Sequence, residues 1–387
     1  MLGSPAIRAR LDHPRFAGPT LRVLLLDARY HLVGELVRAL GQLGHAVAKV
    51  PVVEDAEAMV RGLLTGLVEH RPDFVLTVNH LGFDAGGVLG EILETLEIPV
   101  AAWYVDSPIF VLRGGPIPAP SMTTLFTWER ALVPVYRPRV HTEWLPLGAD
   151  PELFSGAPNA EPDGAPAFVG NSGAAAQAKW RARLGPEHEP AIAAREAAVA
   201  RRGPAPFADP ALLDDPVATD HLAAATWRAN SRLRANFLSA FLPELALYGD
   251  EGWPEVLPGA RPLPGPGYGR PLAEVYRRHP VQLNVTSLQM PTAVNQRVFD
   301  APLAGGFVLG DAQDDLHELF TEDEFVTWSS PEEAVDKARF YLERPERRVE
   351  ILGRARARIL NEHTYQHRAR TLVAALRRRH RPAAAAS

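Results

Sequence analysis

The 387-residue chain contains no cysteine. This absence excludes disulfide bonds, thiolate metal sites and a cysteine nucleophile. No apolar run approaches the roughly 20 residues that a membrane helix needs, and no apolar signal core follows the first basic residues. We therefore expect a cytoplasmic protein without a transmembrane segment.

A strong charge of one sign is also missing. The chain has 41 Lys and Arg against 46 Asp and Glu, which gives a net charge of -5, and the two signs are interspersed. No broad basic field is available for nucleic acid, so we expect no nucleic-acid partner. The length of the chain suits two α/β domains, each with its own core.

Alternating strands and helices predict the fold class. Apolar runs typical of buried strands occupy residues 21–27, 73–79 and 99–105, and helical patterns at 33–43 and 87–96 lie between them. Such alternation indicates a parallel, doubly wound sheet.

A second series of strands and helices follows a Gly- and Pro-rich stretch at residues 155–166, which is typical of a linker. An Ala-rich helical segment at 174–242 precedes a strand–helix–strand unit at 281–309. We predict an α/β fold of two Rossmann-like doubly wound lobes facing a cleft, with a helical insertion early in the second lobe. The predicted divisions are residues 1–158, residues 159–375 and a frayed tail at 376–387.

Residues that follow strands are the first candidates for a site, because open α/β sheets bind ligands beyond the carboxyl ends of their strands. In the second lobe, Arg297 and Asp300 follow such a strand and share a helix face. A guanidinium and free helix amides suit a diphosphate, and a carboxylate can accept two hydrogen bonds from a ribose diol. In the alternative interpretation the two residues pair with each other on a solvated turn, and Gly305-Gly306 caps the helix.

In the first lobe, two loops follow predicted buried strands and carry His80, Asp84 and Asp106. His80 is a candidate general base on an acceptor hydroxyl, because the ordinary pKa of histidine lies near neutrality. Asp84 or Asp106 would orient it or serve as the base instead. In the alternative interpretation His80 bonds to loop backbone and Asp106 caps a turn.

No metal site is predicted. Asp314 and Asp315 stand at the start of an amphipathic segment, where acids favour a helix N-terminus. His363 and His367 lack the glutamate placement of a zinc-protease motif.

Distinctive motifs occupy residues 77–84, 103–108, 126–129, 145–150, 295–306 and 363–368. These segments resemble the CgeB-like, or spore maturation protein B-like, glycosyltransferases.

This resemblance implies a GT-B glycosyltransferase that binds a nucleotide-sugar donor mainly in the C-terminal lobe, with the acceptor entering from the N-terminal side. Arg297 and nearby backbone amides would stabilise the leaving diphosphate, so we expect no cofactor or metal. Retaining GT-B enzymes carry a Glu-x7-Glu pair whose second acid binds the donor ribose. Asp300 is similar to that second acid, and the non-acidic Thr292 occupies the first position. The predicted donor-binding residues are Asp300, Arg297, Asn295, Thr292, Ser287 and Gly249.

The acceptor is expected to be a hydroxyl of a glycan, lipid or protein. Two other functions stay open: a nucleotide-sugar epimerase of the same architecture, and a non-catalytic nucleotide-sugar-binding protein, which the missing first acid would suit. The sugar, its nucleotide, the stereochemical outcome and the oligomeric state are not predicted.

Overall fold

The structure, a computed structural model, describes residues 5–84, 86–157, 159 and 164–380. Its strands are β1 Arg22–Asp27, β2 Ala46–Pro51, β3 Phe74–Val78, β4 Val100–Tyr104, β5 Thr123–Thr127, β6 His141–Trp144, β7 Ala167–Val169, β8 Ala246–Gly249, β9 Leu263–Pro264, β10 Gln282–Asn284, β11 Val308–Asp311 and β12 Val326–Trp328. Its α-helices are α1 Pro5–Leu11, α2 Val33–Gln42, α3 Ala56–His70, α4 Val88–Thr95, α5 Pro108–Leu112, α6 Val133–Tyr136, α7 Ala174–Arg181, α8 Glu189–Ala200, α9 Pro216–Ser239, α10 Trp253–Val256, α11 Arg270–Arg278, α12 Arg297–Ala304, α13 Leu316–Leu319, α14 Pro331–Leu342, α15 Pro345–Glu362 and α16 Tyr365–His380.

The chain divides into two compact units. The first unit comprises the chain up to Pro146 together with the segment that begins at Tyr365, and the second comprises Leu147–Thr364. The predicted division at residues 158/159 placed α16 in the second domain, but α16 packs with the first unit. Leu376 on this helix is fully buried and the guanidinium of Arg377 bonds to the carbonyl of Phe16, so the predicted fraying does not begin at residue 376. Residues 381–387 lie outside the described residues.

The first unit contains a six-stranded parallel sheet in the order β2-β1-β3-β4-β5-β6 within the described residues. The apolar runs predicted as buried strands are these strands, and β3, β4 and β5 are buried at every position. The order of the strands reverses between β1 and β3. The carboxyl ends of these two strands therefore mark the ligand-binding edge of this sheet.

The second unit contains another six-stranded parallel sheet, in the order β12-β11-β10-β7-β8-β9 within the part of the chain described. This is the doubly wound order 3-2-1-4-5-6 read from the other edge, and it reverses between β7 and β10. The predicted helical insertion is confirmed as the segment of α7, α8 and the 24-residue α9 that separates β7 from β8.

Helix α12 brings Arg297 and Asp300 beside the β7–β10 reversal. It remains one helix through Pro302 and ends at Gly305, which has a left-handed φ of 98°. The amide of Gly306 bonds to the carbonyl of Ala301 at 2.8 Å, as in a glycine C-cap. Gly305-Gly306 therefore ends helix α12, as in the alternative interpretation of the sequence.

Candidate active site

Arg297 lies at the strand-order reversal of the second sheet. Its guanidinium donates hydrogen bonds to Asn284 Oδ1, at the end of β10, and to the carbonyl of Val169, at the end of β7. It also lies over the ring of Phe168, with Cζ 5.3 Å from the ring centroid. The arginine therefore joins the two strands whose carboxyl ends form the expected ligand-binding edge.

A second arginine, Arg234, reaches the same place from α9. Its Cζ lies 5.8 Å from the centroid of Phe168, and Nη1 donates to the carbonyl of Asn171 at 2.7 Å. Burial, together with the positive charge of Arg297, lowers the pKa of Arg234 to about 10. The Nε atoms of both arginines are buried and have no hydrogen-bond partner within the described residues. Two close cations with unused donors are the chemistry of an anion site.

Two more buried polar groups lie just beyond β10. The hydroxyl of Ser287 has no hydrogen-bond partner among the described residues. Asn230 on α9 accepts a hydrogen bond from the Leu288 amide at 3.2 Å, while its Nδ2 is buried without an acceptor in the described structure. Buried polar groups are normally paired, so this edge of the sheet carries unused donors for a ligand.

Asp311 holds the end of β11 to the end of β10. Its carboxylate accepts hydrogen bonds from the amide and the hydroxyl of Thr286, each at 2.9 Å, and from Gln313 Nε2 at 3.0 Å. Arg202 forms an ion pair with Oδ2, the same carboxylate oxygen that accepts from Gln313. This buried network fixes the strand end that carries Asn284, the partner of Arg297.

Asp300 faces a different set of partners. Its Oδ1 accepts from Gln296 Nε2 at 2.7 Å and its Oδ2 accepts from the hydroxyl of Tyr268 at 3.2 Å. The side chain is 1% exposed. Since Arg297 and Asp300 are each bonded to other residues, the structure does not favour the interpretation in which they pair with each other on a solvated turn.

The remaining predicted donor-site residues have structural partners. Asn295 donates from Nδ2 to Asn284 Oδ1 at 2.7 Å, and so supports the acceptor of Arg297. Thr292 donates from its hydroxyl to Asp315 at 3.2 Å. A Cβ at Gly249 would lie 2.3 Å from the carbonyl oxygen of Gly170, so this glycine is required by close packing of the protein backbone.

In the first unit, Asp106 lies next to the β1–β3 reversal. Its Oδ2 accepts hydrogen bonds from the Tyr30 hydroxyl at 2.5 Å and from Asn79 Nδ2 at 2.8 Å. Burial and the charge of Asp106 raise the pKa of Tyr30, so this phenol stays protonated and keeps donating. The two donors orient a partly exposed carboxylate at the ligand-binding edge of the sheet.

His80 and Asp84 lie apart from this arrangement. His80 is buried against Tyr104 and Phe83, its Nδ1 bonds to the Tyr104 hydroxyl, and burial lowers its pKa to about 3. Asp84 accepts the amides of Val88 and Leu89, each at 2.9 Å, and caps α4. Neither environment suits the general base predicted from the sequence, because His80 is buried and Asp84 is engaged by a helix terminus.

The described residues were compared with the requirements of a metal site and of a membrane-spanning helix. They contain no group of three or more His, Asp or Glu side chains placed to hold a metal ion. No helix among them has the length and apolar character required to cross a membrane.

The two six-stranded parallel sheets define a two-lobed α/β protein, and comparisons with known proteins agree. Residues 228–374 match the family model described as glycosyl transferase-like. No curated protein matches the chain significantly in sequence. The fold matches the GT-B architecture, two Rossmann-like units in one chain.

Three solved structures illustrate this likeness. Sucrose-phosphate synthase from Thermosynechococcus elongatus is 12% identical with a TM-score of 0.56, over 92% of this chain and 98% of that chain. The HepE protein of Anabaena, in complex with UDP and glucose, is 12% identical with a TM-score of 0.50, over 92% and 99%. A DNA-modifying β-glucosyltransferase, solved with and without its substrate uridine diphosphoglucose, is 9% identical with a TM-score of 0.53, over 92% and 98%.

The predicted α/β fold of two Rossmann-like units is confirmed. The prediction of a glycosyltransferase is confirmed by the family match over residues 228–374. The epimerase and the non-catalytic alternative receive no such support.

Proposed function

We propose that the protein transfers a sugar from a nucleoside diphosphate sugar, bound by the second unit, to a hydroxyl of an acceptor bound by the first unit. The observation that carries this proposal is the pair Arg234 and Arg297, whose guanidiniums lie over one ring and keep buried Nε donors without partners. A diphosphate is the ligand that would use both cations.

The same pair would assist the chemistry. As the bond between the anomeric carbon and the diphosphate oxygen breaks, the diphosphate leaves with the electron pair and gains negative charge. Guanidiniums fixed in advance by Asn284, Val169 and Asn171 stabilise that charge without reorganising. The positive charge comes from the protein in this proposal, so we expect no metal requirement.

Asp300 would bind the ribose. Its carboxylate is held by Gln296 and Tyr268, and Gln296 is itself fixed by a hydrogen bond to the carbonyl of Gly148 at 2.8 Å. A carboxylate of fixed orientation can accept both hydroxyls of a diol.

Asp106 would accept the proton of the acceptor hydroxyl. Tyr30 and Asn79 both donate to its Oδ2, which leaves Oδ1 for the acceptor. The acceptor oxygen then forms the new bond to the anomeric carbon. We prefer Asp106 to His80 because a general base must be reachable by its substrate.

The donor and acceptor classes rest on several lines of support. Two of the structural relatives were solved with UDP or uridine diphosphoglucose, so uridine nucleotides are the first donors to test. The sequence resemblance to CgeB-like glycosyltransferases supports a glycan, lipid or protein acceptor. The predicted cytoplasmic location stays a prediction.

A thermal-shift experiment tests the donor site. A ligand that binds only the folded protein raises the melting temperature, by an amount equivalent to about 2.7 kcal/mol at 100 times Kd. We expect a shift with UDP, GDP or one of their sugar conjugates, and its loss in Arg297→Gln. Arg232→Gln is the control for loss of an arginine charge outside the site, because the side chain of Arg232 is 71% exposed and pairs with Glu196. A parent protein that shifts with none of these nucleotides at millimolar concentration would contradict the proposal.

A further inference from the structure

Two buried polar side chains meet beyond β10 with hydrogen-bonding groups that the protein does not use. Asn230 is fully buried, and the bond from the Leu288 amide to its Oδ1, at 3.2 Å, fixes the orientation of its carboxamide. Its Nδ2 has no acceptor within the described residues, and the hydroxyl of Ser287, a residue only 6% exposed, has no partner there either. Since Ser287 directly precedes Leu288, the unused amide donor and the unused hydroxyl lie close together.

This pair lies beside the arginines of the proposed diphosphate site. Asn230 precedes Arg234 by four residues on α9, so the two side chains share one face of that helix, one turn apart. Ser287 comes three residues after Asn284, the partner of Arg297. A diphosphate bound by the two arginines would therefore have the unused amide donor and hydroxyl next to it.

The order of groups in the donor decides which part of it meets this pair. In a nucleoside diphosphate sugar, the diphosphate separates the ribose from the sugar that is transferred. The ribose is assigned to Asp300 on α12, whereas Asn230 is on α9. The group beyond the diphosphate on the α9 side is then the transferred sugar.

A groove of about 480 Å³ runs along the same place, between α8 and α9. Ala229, which directly precedes Asn230, and Leu288 line the groove together with three alanines of α8, namely Ala193, Ala197 and Ala200. Two charged residues of its lining, Glu196 and Arg232, pair with each other at 2.5 Å. The wall next to Asn230 is therefore apolar and can cover a small apolar group.

We infer that the donor is a UDP-linked sugar with an acetamido group on C2, an inference that rests on the proposed function. C2 is bonded to the anomeric carbon, so its substituent lies close to the diphosphate and to the arginine pair. The acetamido carbonyl accepts from Asn230 Nδ2, its N–H donates to the hydroxyl oxygen of Ser287, and its methyl group lies against Leu288. One amide thus supplies a partner to both buried groups.

Other substituents on C2 match these surroundings less well. A hydroxyl has no carbon group with which to cover Leu288. A carboxylate would be buried as a charge between two neutral side chains, which costs more than burying a neutral amide that is hydrogen-bonded at both ends.

Titration calorimetry on the full chain tests this donor class. The probes are UDP, GDP, UDP-glucose, UDP-N-acetylglucosamine and UDP-N-acetylgalactosamine. We expect the parent protein to bind one of the two acetamido donors about tenfold more tightly than UDP-glucose, from the usual contribution of one or two hydrogen bonds. This preference should fall to about threefold or less in Ser287→Ala and in Asn230→Asp, which keeps an acceptor for the Leu288 amide but loses the Nδ2 donor.

Ser107→Ala is the matched control, because the Ser107 hydroxyl is also buried without a partner among the described residues but belongs to the first unit. It should keep the full preference. Equal binding of acetamido donors and UDP-glucose by the parent would overturn the inference and leave the proposed function intact. The same conclusion would follow if the parent bound GDP but no uridine nucleotide, or if both site variants kept the preference. A parent protein that binds none of the nucleotides would overturn both.

Discussion

Arg234 and Arg297 share one aromatic ring: their Cζ atoms lie 5.8 and 5.3 Å from the centroid of Phe168. Burial and the positive charge of Arg297 lower the pKa of Arg234 to about 10, so the two cations repel each other in the absence of an anion. The arginine pair therefore lowers the stability of the ligand-free protein and favours the binding of an anion, and functional sites often have such a cost in stability.

This relationship predicts the behaviour of Arg234→Gln. Without ligand the variant should melt no lower than the exposed control Arg232→Gln, because it loses a repelled charge. With inorganic pyrophosphate its stabilisation should be at most half that of the parent, and kcat should fall by about 10²–10³, as for loss of one transition-state donor. The measurements are melting curves with and without pyrophosphate and a transfer assay. Equal pyrophosphate shifts in parent and variant would remove Arg234 from the site.

Asp300→Asn tests the ribose contact. The amide keeps the shape of the side chain and can still accept from Gln296, but it loses the charge that strengthens hydrogen bonds to a diol. We expect the nucleoside diphosphate to bind about 10- to 100-fold more weakly, from the usual contribution of hydrogen bonds to charged groups. The 2′-deoxy analogue should bind the parent weakly and lose little further affinity in the variant. Unchanged nucleotide affinity in Asp300→Asn would show that the ribose binds elsewhere.

Asp106→Asn tests the acceptor side. Removal of a general base costs about 10²–10⁴ in rate, while donor affinity should not change because Asp106 belongs to the first unit. Asp84→Ala is the contrasting variant, since it removes the cap of α4 and should cost about 1 kcal/mol of stability without slowing transfer. The assays are initial rates at saturating donor and urea unfolding. If Asp106→Asn transfers sugar at the parent rate, the leaving diphosphate and not this carboxylate accepts the proton.

The burial of His80 should make the stability of the folded protein depend on pH. Its pKa is about 3 in the folded protein, because of burial, and its ordinary value is 6.5. Between these two pH values His80 is protonated in the unfolded chain but not in the folded protein. The free energy of unfolding therefore falls as the pH drops below about 6.5. From pH 7 to pH 5 the His80 contribution amounts to about 2 kcal/mol.

The measurement is the difference in pH dependence between the parent and His80→Gln, because other buried histidines titrate in both proteins. The parent should lose more stability than the variant between pH 7 and pH 5. Parallel curves would mean that His80 is protonated as easily in the folded state as in the unfolded chain.

The central strands of the sheets were predictable because they are buried on both faces. Strands such as β3 and β4 read as short apolar runs between helical patterns, and that local signal is enough to predict a parallel sheet. Helix α12 and its Gly305 stop carry equally local signals. The packing of α16 with the first unit is a contact between distant segments, and no local pattern encodes it.

The candidate site was predictable where it follows strands. That rule found Arg297, Asp300 and Asp106, and applied to the end of β1 it would also have found Tyr30. Arg234 was missed because it lies inside a long Ala-rich helix, where an arginine usually faces solvent. His80 and Asp84 were overestimated because position along the chain does not reveal which side chain turns inward and which caps a helix.

The return of the chain at Tyr365 has a consequence for biosynthesis. The second unit is one continuous segment, but the first needs α16, which is synthesised after the second unit. During translation the strands up to β6 are therefore made before α16, and the surface that covers Leu376 stays exposed to solvent until α16 packs against it. The second unit can fold before that point. A nascent chain stalled before residue 365 would display that apolar surface to chaperones, and a fragment cut at Pro146 would carry the same defect permanently.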